Sequence, residues 1–466
     1  MAERKKIETS NLRHVPSVDQ LLRTDVARRL RESIGLKRVT AIARSVTTEI
    51  RSSIRQNPTE NGHSPQALLD EAVRRMEQTA RREGETGIKK VINATGVLLH
   101  TNLGRAPLSS AARAAVEEAA GQCNLEYDIA TGSRGKRGAR VESLLKDLTG
   151  AEDALVVNNC AAAALLILTV LAGDGETIVS RGELVEIGGD FRVPDVMASS
   201  GTQMVEVGTT NRTHLEDYRI AINLNTRLIM RVHPSNYRIV GFASSPLLSE
   251  LAALAHENDL LLYEDAGSGL LTDLKPYGVV DEPTVSEIVA SGADVISFSG
   301  DKLLGSAQAG LIVGRRAIVD RLRKHPLYRA LRSDKLRLAA LEATLTAYQR
   351  DKAFEEVPVL QMLSLTPAEI EQRATALIEQ LGATDLSLSI EPGESAIGGG
   401  AAPTSKISSV LIAVTHPSKS VAELEQQLRN SSPAVVARIS EDKVLLDLRT
   451  VSTDDFPALI AALKRL

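Results

Sequence analysis

Three short segments carry side chains whose types and spacing could act together. Leu262-Tyr263-Glu264-Asp265-Ala266-Gly267 puts two carboxylates at the carboxyl end of an apolar run. In open α/β sheets that end of a strand faces the ligand crevice, although either acid could equally cap the next turn. Ile296-Ser297-Phe298-Ser299-Gly300-Asp301-Lys302 places a lysine just past another apolar run, 37 positions after Asp265. Val156-Val157-Asn158-Asn159-Cys160-Ala161-Ala162 is a β-branched run that passes into a helix of tiny side chains. Small residues let an anion approach the free N–H groups of a helix start; the same composition suits tight helix packing. Taken singly, each segment has an ordinary structural explanation, a solvated lysine included. Together they supply an anion cradle, an acid for a ring nitrogen and an amine for an aldehyde. That set is what pyridoxal 5′-phosphate requires.

Other chemistries find no footing. The eight histidines are scattered with no pair at metal-ligand spacing, so no metal site is expected. In Gly300-Asp301-Lys302-Leu303-Leu304-Gly305-Ser306 the lysine is misplaced for a GxxxxGK[ST] phosphate loop. Gly132 to Gly138 does not open a helix after a strand, as a dinucleotide fingerprint does, and no GxSxG elbow occurs.

The elements that must position these residues alternate in type. Apolar, β-branched runs recur at Ala154–Val157, Thr177–Ser180, Met204–Val207, Leu228–Val232, Leu260–Tyr263, Val295–Phe298 and Leu311–Val313. Helix-like segments separate most of them, which predicts an α/β fold with a mostly parallel sheet covered on both faces. A charged helix is expected from about Ala317 to Arg350. Beyond it, Ile407–Val414 and Val444–Leu448 read as strands, and Val421–Arg429 and Phe456–Leu466 as helices. Gly398-Gly399-Gly400 reads as the loop before the first of these strands.

Ahead of the α/β region lies a basic helical segment. Ser17 caps a helix that carries Val18, Leu21, Leu22, Val26, Leu30 and Ile34 and stops at Gly35. A second helix carries Val39, Ile42, Val46, Ile50 and Ile54 and ends before Asn57-Pro58. A turn-rich stretch from Asn57 to Pro65 marks a boundary, and Ser64 with Pro65 starts a third helix that runs to the Gly84–Gly87 region. The expected divisions are a basic helical domain over 1–62, a helical linker over 63–90, a large α/β domain over 91–330, and a long helix with a small α+β domain over 331–466.

Composition agrees with a folded, intracellular chain. Of 466 residues, 43% are hydrophobic but only 3% aromatic, with no Trp, so the core rests on Leu, Ile, Val and Ala. The net charge of −4 hides an asymmetry: residues 1–60 carry +6 and the remainder −10. Such a segment fits either a polyanion-binding appendage or a solvated arginine-rich helix face. The longest apolar run, Ala161 to Ala172, is too short for a membrane span. Met1 to Ser10 has no apolar signal-peptide core, and two cysteines allow no disulfide framework. A cytoplasmic protein is expected.

Several motifs extend the reading. Ile92-Asn93-Ala94-Thr95-Gly96-Val97-Leu98-Leu99-His100-Thr101-Asn102-Leu103-Gly104-Arg105, Glu126-Tyr127-Asp128, Thr131-Gly132, Arg134-Gly135, His233-Pro234-Ser235-Asn236-Tyr237, Ser299-Gly300-Asp301-Lys302 and Gly398-Gly399-Gly400 occur together with Pro16-Ser17-Val18-Asp19. With them the chain resembles, over nearly its whole length, the bacterial L-seryl-tRNA(Sec) selenium transferases, or selenocysteine synthases. These are fold-type I pyridoxal phosphate enzymes with an aspartate aminotransferase-like fold.

The resemblance implies conversion of seryl-tRNA(Sec) to selenocysteinyl-tRNA(Sec) through a cofactor-bound aminoacrylyl-tRNA, with selenophosphate as selenium donor. It implies Lys302 as the Schiff-base lysine and Asp265 as the pyridinium partner. Backbone contacts to the cofactor phosphate fall to Asn159, Cys160 and Ala161, with Ser299 as a hydroxyl donor and His233 as a further cofactor neighbour. Arg105, Arg329 and Arg332 match arginines near the selenium donor, where guanidinium forks suit an oxyanion; Arg329 and Arg332, at i and i+3, would share a helical face. Asp301 is a further candidate for the catalytic centre. A tRNA-binding N-terminal domain and a homo-oligomer, a decamer, complete the expectation. The alternative is a pyridoxal phosphate lyase of the same lineage acting on a small free amino acid or amino sugar, which would not need the basic module.

Overall fold

A computed structural model describes residues 12–56, 64–85, 87–186, 192–234, 236–403 and 405–466. Met1–Ser10 with Arg4, Lys5 and Lys6, the Asn57–Pro58 turn, and Ser235 lie outside the described residues. The chain divides into two compact units, Met1–Lys90 and Val91–Leu466.

Among its described residues the first unit holds helices and no strand. Ser17 and Thr24 cap the helices Val18–Leu22 and Asp25–Ile34, so the first expected helix is two. Thr24 satisfies the N–H of Ala27 at 3.3 Å and restarts the chain in a new direction. The helix Leu36–Gln56 turns Val39, Ile42, Val46, Ile50 and Ile54 inward. Ser64 caps the helix Pro65–Glu85, accepting from the Ala67 N–H at 3.2 Å. That segment, expected as a linker, contributes Leu68, Ala72, Met76 and Ala80 to the same core.

The second unit is built on a seven-stranded sheet: β1 Asp153–Val157, β2 Glu176–Ser180, β3 Gln203–Val207, β4 Thr226–Val232, β5 Leu261–Gly267, β6 Val295–Ser299 and β7 Gly310–Gly314, in the order β1-β7-β6-β5-β4-β2-β3. Only β7 runs antiparallel, paired with β1 and β6. All seven expected runs are strands of this one sheet. β5 continues past Tyr263, so Glu264 and Asp265 lie within the strand rather than after it.

Both faces are covered. Val141, Leu144, Leu251, Ile288, Leu341 and Leu345 pack against Ile178, Ile229, Leu262 and Phe298 on one face. Ala163, Ile167, Met197, Val319 and Leu322 meet Leu155, Val179, Leu228 and Tyr263 on the other. Each such aliphatic side chain contributes about 1.5–3 kcal/mol of burial, which makes the sheet a stiff base for what its strand ends carry.

The expected helix over 317–350 is three: Arg316–Lys324, Pro326–Leu331 and Lys335–Gln349. Pro326 forces His325 into an extended conformation, and Asp334 caps the last helix by accepting from Leu336 and Arg337 N–H. The helix Lys335–Gln349 lays Leu338, Leu341 and Leu345 on the large sheet. A second sheet holds β8 Ser387–Ala396, β9 Lys406–Thr415, β10 Arg438–Ser440 and β11 Lys443–Asp447 in the order β8-β9-β11-β10. Val91–Asn93 pairs in parallel with Ala434–Val436 at its margin.

Candidate active site

The site forms where β1, β5 and β6 end. β1 runs into Asn158-Asn159, and the Asn159 side chain accepts from the Ala162 N–H at 2.8 Å, capping the helix Cys160–Ala172. The first-turn N–H groups of that helix have no intrahelical acceptor and suit an anion. Space beneath the turn depends on Gly310 of β7, where a Cβ would lie 2.1 Å from the Asn159 carbonyl oxygen.

On β5, Tyr263 and Asp265 point to the face covered by the Cys160 helix, while Glu264 points to the other. Asp265 pairs in register with Ser297 of β6. Its Oδ1 accepts from Ser297 Oγ at 3.1 Å and from Cys160 Sγ at 3.4 Å. Burial pushes the Asp265 carboxyl up, opposed by these two hydrogen bonds and by the Lys302 charge. The Cys160 thiol is pushed up by burial and then by the neighbouring carboxylate.

Lys302 follows the end of β6 and is buried; its Nζ donates to the Gly400 carbonyl at 3.3 Å. Burial depresses its pKa, so the amine gives up its proton more readily than a solvated lysine. The Gly398-Gly399-Gly400 turn that delivers this carbonyl has φ of +73°, +63° and +76°, and a Cβ on Gly399 would lie 2.7 Å from the Leu99 carbonyl oxygen. Three successive left-handed residues against a backbone demand glycine.

Next to the lysine, Asp301 Oδ2 accepts from Arg105 Nη1 at 2.7 Å. Arg105 itself sits at φ +60°, an uncommon conformation for a side-chain-bearing residue. His233 donates its backbone N–H to the Asp265 carbonyl at 3.0 Å, and its Nδ1 lies 3.7 Å from Glu282 Oε2. Glu282 Oε1 in turn accepts from the Ala402 N–H just past the glycine turn.

Ser299 ends β6, buried, opposite Gly310, and Ala161 is the second residue of the capped helix. The structure therefore brings Lys302, Asp301, Asp265, Asn159, Cys160, Ala161, Ser299, Arg105 and His233 to one end of the sheet. Arg329 and Arg332 behave differently. Arg332 lies beyond the helix Pro326–Leu331 with φ −63° and ψ 142°, so the two arginines do not share a helical face. The extended segment needed before the Asp334 cap removes it from the helix. Arg332 bridges to Val157 beside the Asn158-Asn159 turn, 3.8 Å from Glu126, which also holds Arg134 and Arg137. Arg329 is exposed.

Sequence reasoning missed Ser297, Glu282 and Asn236 as parts of the site. A serine inside an otherwise apolar β6 was the one signal for Ser297. Pyridoxal 5′-phosphate fits the donor set: a capped helix start for the phosphate, a buried carboxylate for the ring nitrogen and a buried amine for the aldehyde. Around them, Arg105 Nε, His100 Nδ1, Asn236 Oδ1, His233 Nδ1 and Glu282 Oε2 are buried without hydrogen-bond partners among the described residues, which suits a site that binds a polar molecule. No group of His, Cys, Asp and Glu among the described residues could hold a metal ion.

The chain is similar to known proteins over nearly its whole length. The family profile described as L-seryl-tRNA selenium transferase matches residues 91–452, and that described as selenocysteine synthase N terminal matches residues 12–51. The L-seryl-tRNA(Sec) selenium transferase of Geobacter sulfurreducens is 47% identical over 97% of this chain and 98% of its own. That of Clostridium perfringens is 45% identical over 98% of both. Among solved structures, a D-glucosaminate-6-phosphate ammonia-lyase superposes with a TM-score of 0.58 at 22% identity, covering 82% of this chain and 97% of the other. That likeness is one of fold.

Proposed function

The chain belongs to the L-seryl-tRNA selenium transferase family, and on that premise we propose how its residues convert seryl-tRNA(Sec) to selenocysteinyl-tRNA(Sec). The observation that carries the reading is the convergence of Lys302, Asp265 and the Asn159-capped helix start in a chain matched end to end by these transferases. The cofactor is pyridoxal 5′-phosphate. When bound, it supplies an aldehyde that takes up amines and a ring that accepts the electron pair released at the substrate α-carbon.

The backbone N–H groups of Cys160 and Ala161, with Asn159 and the Ser299 hydroxyl, bind the phosphate. Asp265 holds a proton at the ring nitrogen, and His233 fixes the Asp265 carbonyl from behind. Lys302 Nζ would hold the cofactor aldehyde, give way to the serine α-amine, and take up the α-proton, returning a proton to the β-oxygen so that it departs as water; its depressed pKa suits that base role. Arg105 binds an oxyanion of selenophosphate, with Asp301 orienting its fork. Arg329 and Arg332 would join it from the rim of the site.

The basic helices of residues 1–62 would read tRNA backbone and shape, with 63–90 completing that unit, 91–330 holding the cofactor and 331–466 closing the site. A cytoplasmic homo-oligomer, a decamer on the family pattern, is the form we expect. No helix among the described residues is long and apolar enough to cross a membrane.

The test is to incubate the protein with labelled seryl-tRNA(Sec), with and without selenophosphate, and identify the amino acid released. Selenocysteine only with the donor is expected. Unchanged serine from protein that shows cofactor absorbance would transfer the reading to a lyase of the same lineage.

A further inference from the structure

Behind Asp265 lies a short string of buried hydroxyls that the reaction itself does not touch. Tyr263 OH lies 2.8 Å from Ser297 Oγ, and Ser297 Oγ lies 3.1 Å from Asp265 Oδ1. Tyr263 and Ser297 are fully buried and Asp265 nearly so. Tyr263 and Asp265 are two residues apart on β5, hence on one face, and Ser297 stands opposite Asp265 on the parallel neighbour β6. The arrangement is fixed by sheet register, not by a mobile loop.

Proton directions follow from the inventory of donors. An ionised carboxylate only accepts, so the single Ser297 proton goes to Asp265. Ser297 Oγ then receives from Tyr263, which makes the string directional: Tyr263 to Ser297 to Asp265. Cys160 Sγ donates to the same Oδ1 at 3.4 Å. The side-chain donors thus converge on one carboxylate oxygen and restrain its position.

We propose that Tyr263 and Ser297 are positioning residues that hold Asp265 ionised and correctly turned towards the ring nitrogen of the cofactor. The inference rests on the reading of Asp265 as the partner of that nitrogen. Burial alone favours the neutral acid, and a neutral Asp265 could not sustain a protonated ring. Two hydrogen bonds into the charged form oppose that tendency, and polarisation along the hydroxyl string strengthens the nearer one. The only other polar partner of this pair among the described residues is the Cys160 thiol, which donates to Ser297 Oγ at 3.7 Å; the Tyr263 ring otherwise packs in an apolar interior.

The experiment compares Ser297→Ala, Ser297→Thr, Tyr263→Phe, the Tyr263→Phe/Ser297→Ala double variant and Asp265→Asn, each as full-length holoenzyme. The readouts are the cofactor dissociation constant and the pH midpoint of its visible absorption band. Loss of a hydrogen bond to a charged group predicts a cofactor dissociation constant about tenfold higher or more for Ser297→Ala. Tyr263→Phe should show a smaller loss in the same direction, and Ser297→Thr should restore both readouts. Because Tyr263 acts through Ser297, the double variant should match Ser297→Ala alone. Additive losses, or unchanged spectra in both single variants while Asp265→Asn loses the band, would overturn the proposal and leave the Asp265 reading intact. An unchanged band in Asp265→Asn would overturn that reading and the inference with it. Tyr263→Phe removes one oxygen and keeps the ring, so it decides the matter even where Ser297→Ala folds poorly.

Discussion

Arg105 reaches Asp301 Oδ2 at 2.7 Å from a left-handed backbone, and Asp301 is the residue immediately before Lys302. One ion pair therefore ties the segment after the first strand of the unit to the chain that carries the buried Lys302 amine. The pair also leaves Arg105 Nε buried without a partner among the described residues, so the guanidinium retains a donor for a ligand.

Arg105→Lys keeps the charge and loses the fork. The expected result is a KM for selenophosphate raised about 10- to 100-fold, the equivalent of one charged hydrogen bond, with the cofactor absorption band retained. Steady-state kinetics with the donor varied checks it. A fall in kcat with KM unchanged would place Arg105 elsewhere in the reaction.

Gly399→Ala introduces a methyl group 2.7 Å from a backbone oxygen at φ +63°. The turn must shift, and the Gly400 carbonyl on Lys302 shifts with it. At least a tenfold loss of turnover is expected from misplacement of the amine alone, measured together with circular dichroism to confirm the fold. Full activity would show that the Gly400 contact is dispensable.

Glu183 and Glu264 flank Arg231 in the interior, each about 4.0 Å from its Nε. Burial pushes Glu264 up to about 8 and Glu183 up to about 7. A raised carboxyl binds a proton in the folded state that the unfolded chain has already released. Its contribution to stability is therefore fullest near the ordinary carboxylate pKa and falls as pH rises to the folded value. Glu264→Gln should flatten this fall: between pH about 6 and about 8.5 its melting temperature should drop a few degrees less than that of the parent. Parallel curves for the two proteins would contradict the assignment.

Lys37, Arg44 and Arg51 recur every seven residues on the exposed face of the helix Leu36–Gln56. Reversing all three to Glu should weaken seryl-tRNA binding about tenfold or more and flatten its salt dependence. Cofactor absorbance should be unaffected. Filter binding across a salt series decides the point, and an unaltered slope would assign the basic face another role.

Much of this architecture was legible in the residues themselves. Short β-branched runs such as Leu311–Val313 mark buried strands because nothing polar interrupts them, and Asp265 and Lys302 are legible as charges just past such runs. The helix breaks at Pro326 and Asp334 were less visible, since apolar spacing continues through both while the backbone does not. β8 has no counterpart among the expected strands: Pro392 and Gly393 interrupt its apolar pattern, yet Pro is tolerated on an edge strand such as this one. Ser297 escaped because its importance comes from register: only the parallel pairing of β5 with β6 sets it opposite Asp265. The pairing of Arg105 with Asp301 joins residues far apart in the chain, which no local pattern encodes.

The parallel pairing of Val91–Asn93 with Ala434–Val436 also bears on how the protein is made. The first strand of the catalytic unit leaves the ribosome about 340 residues before its partner, on the order of tens of seconds at ordinary elongation rates. Throughout that interval the helical unit ahead of it has all of its own core residues in hand. The catalytic unit does not: its opening strand stays a bare edge until synthesis is nearly done. Premature termination between residues 91 and 434 therefore yields a chain whose first unit has its whole core and whose second cannot close, a product that keeps its basic helices without a complete catalytic unit.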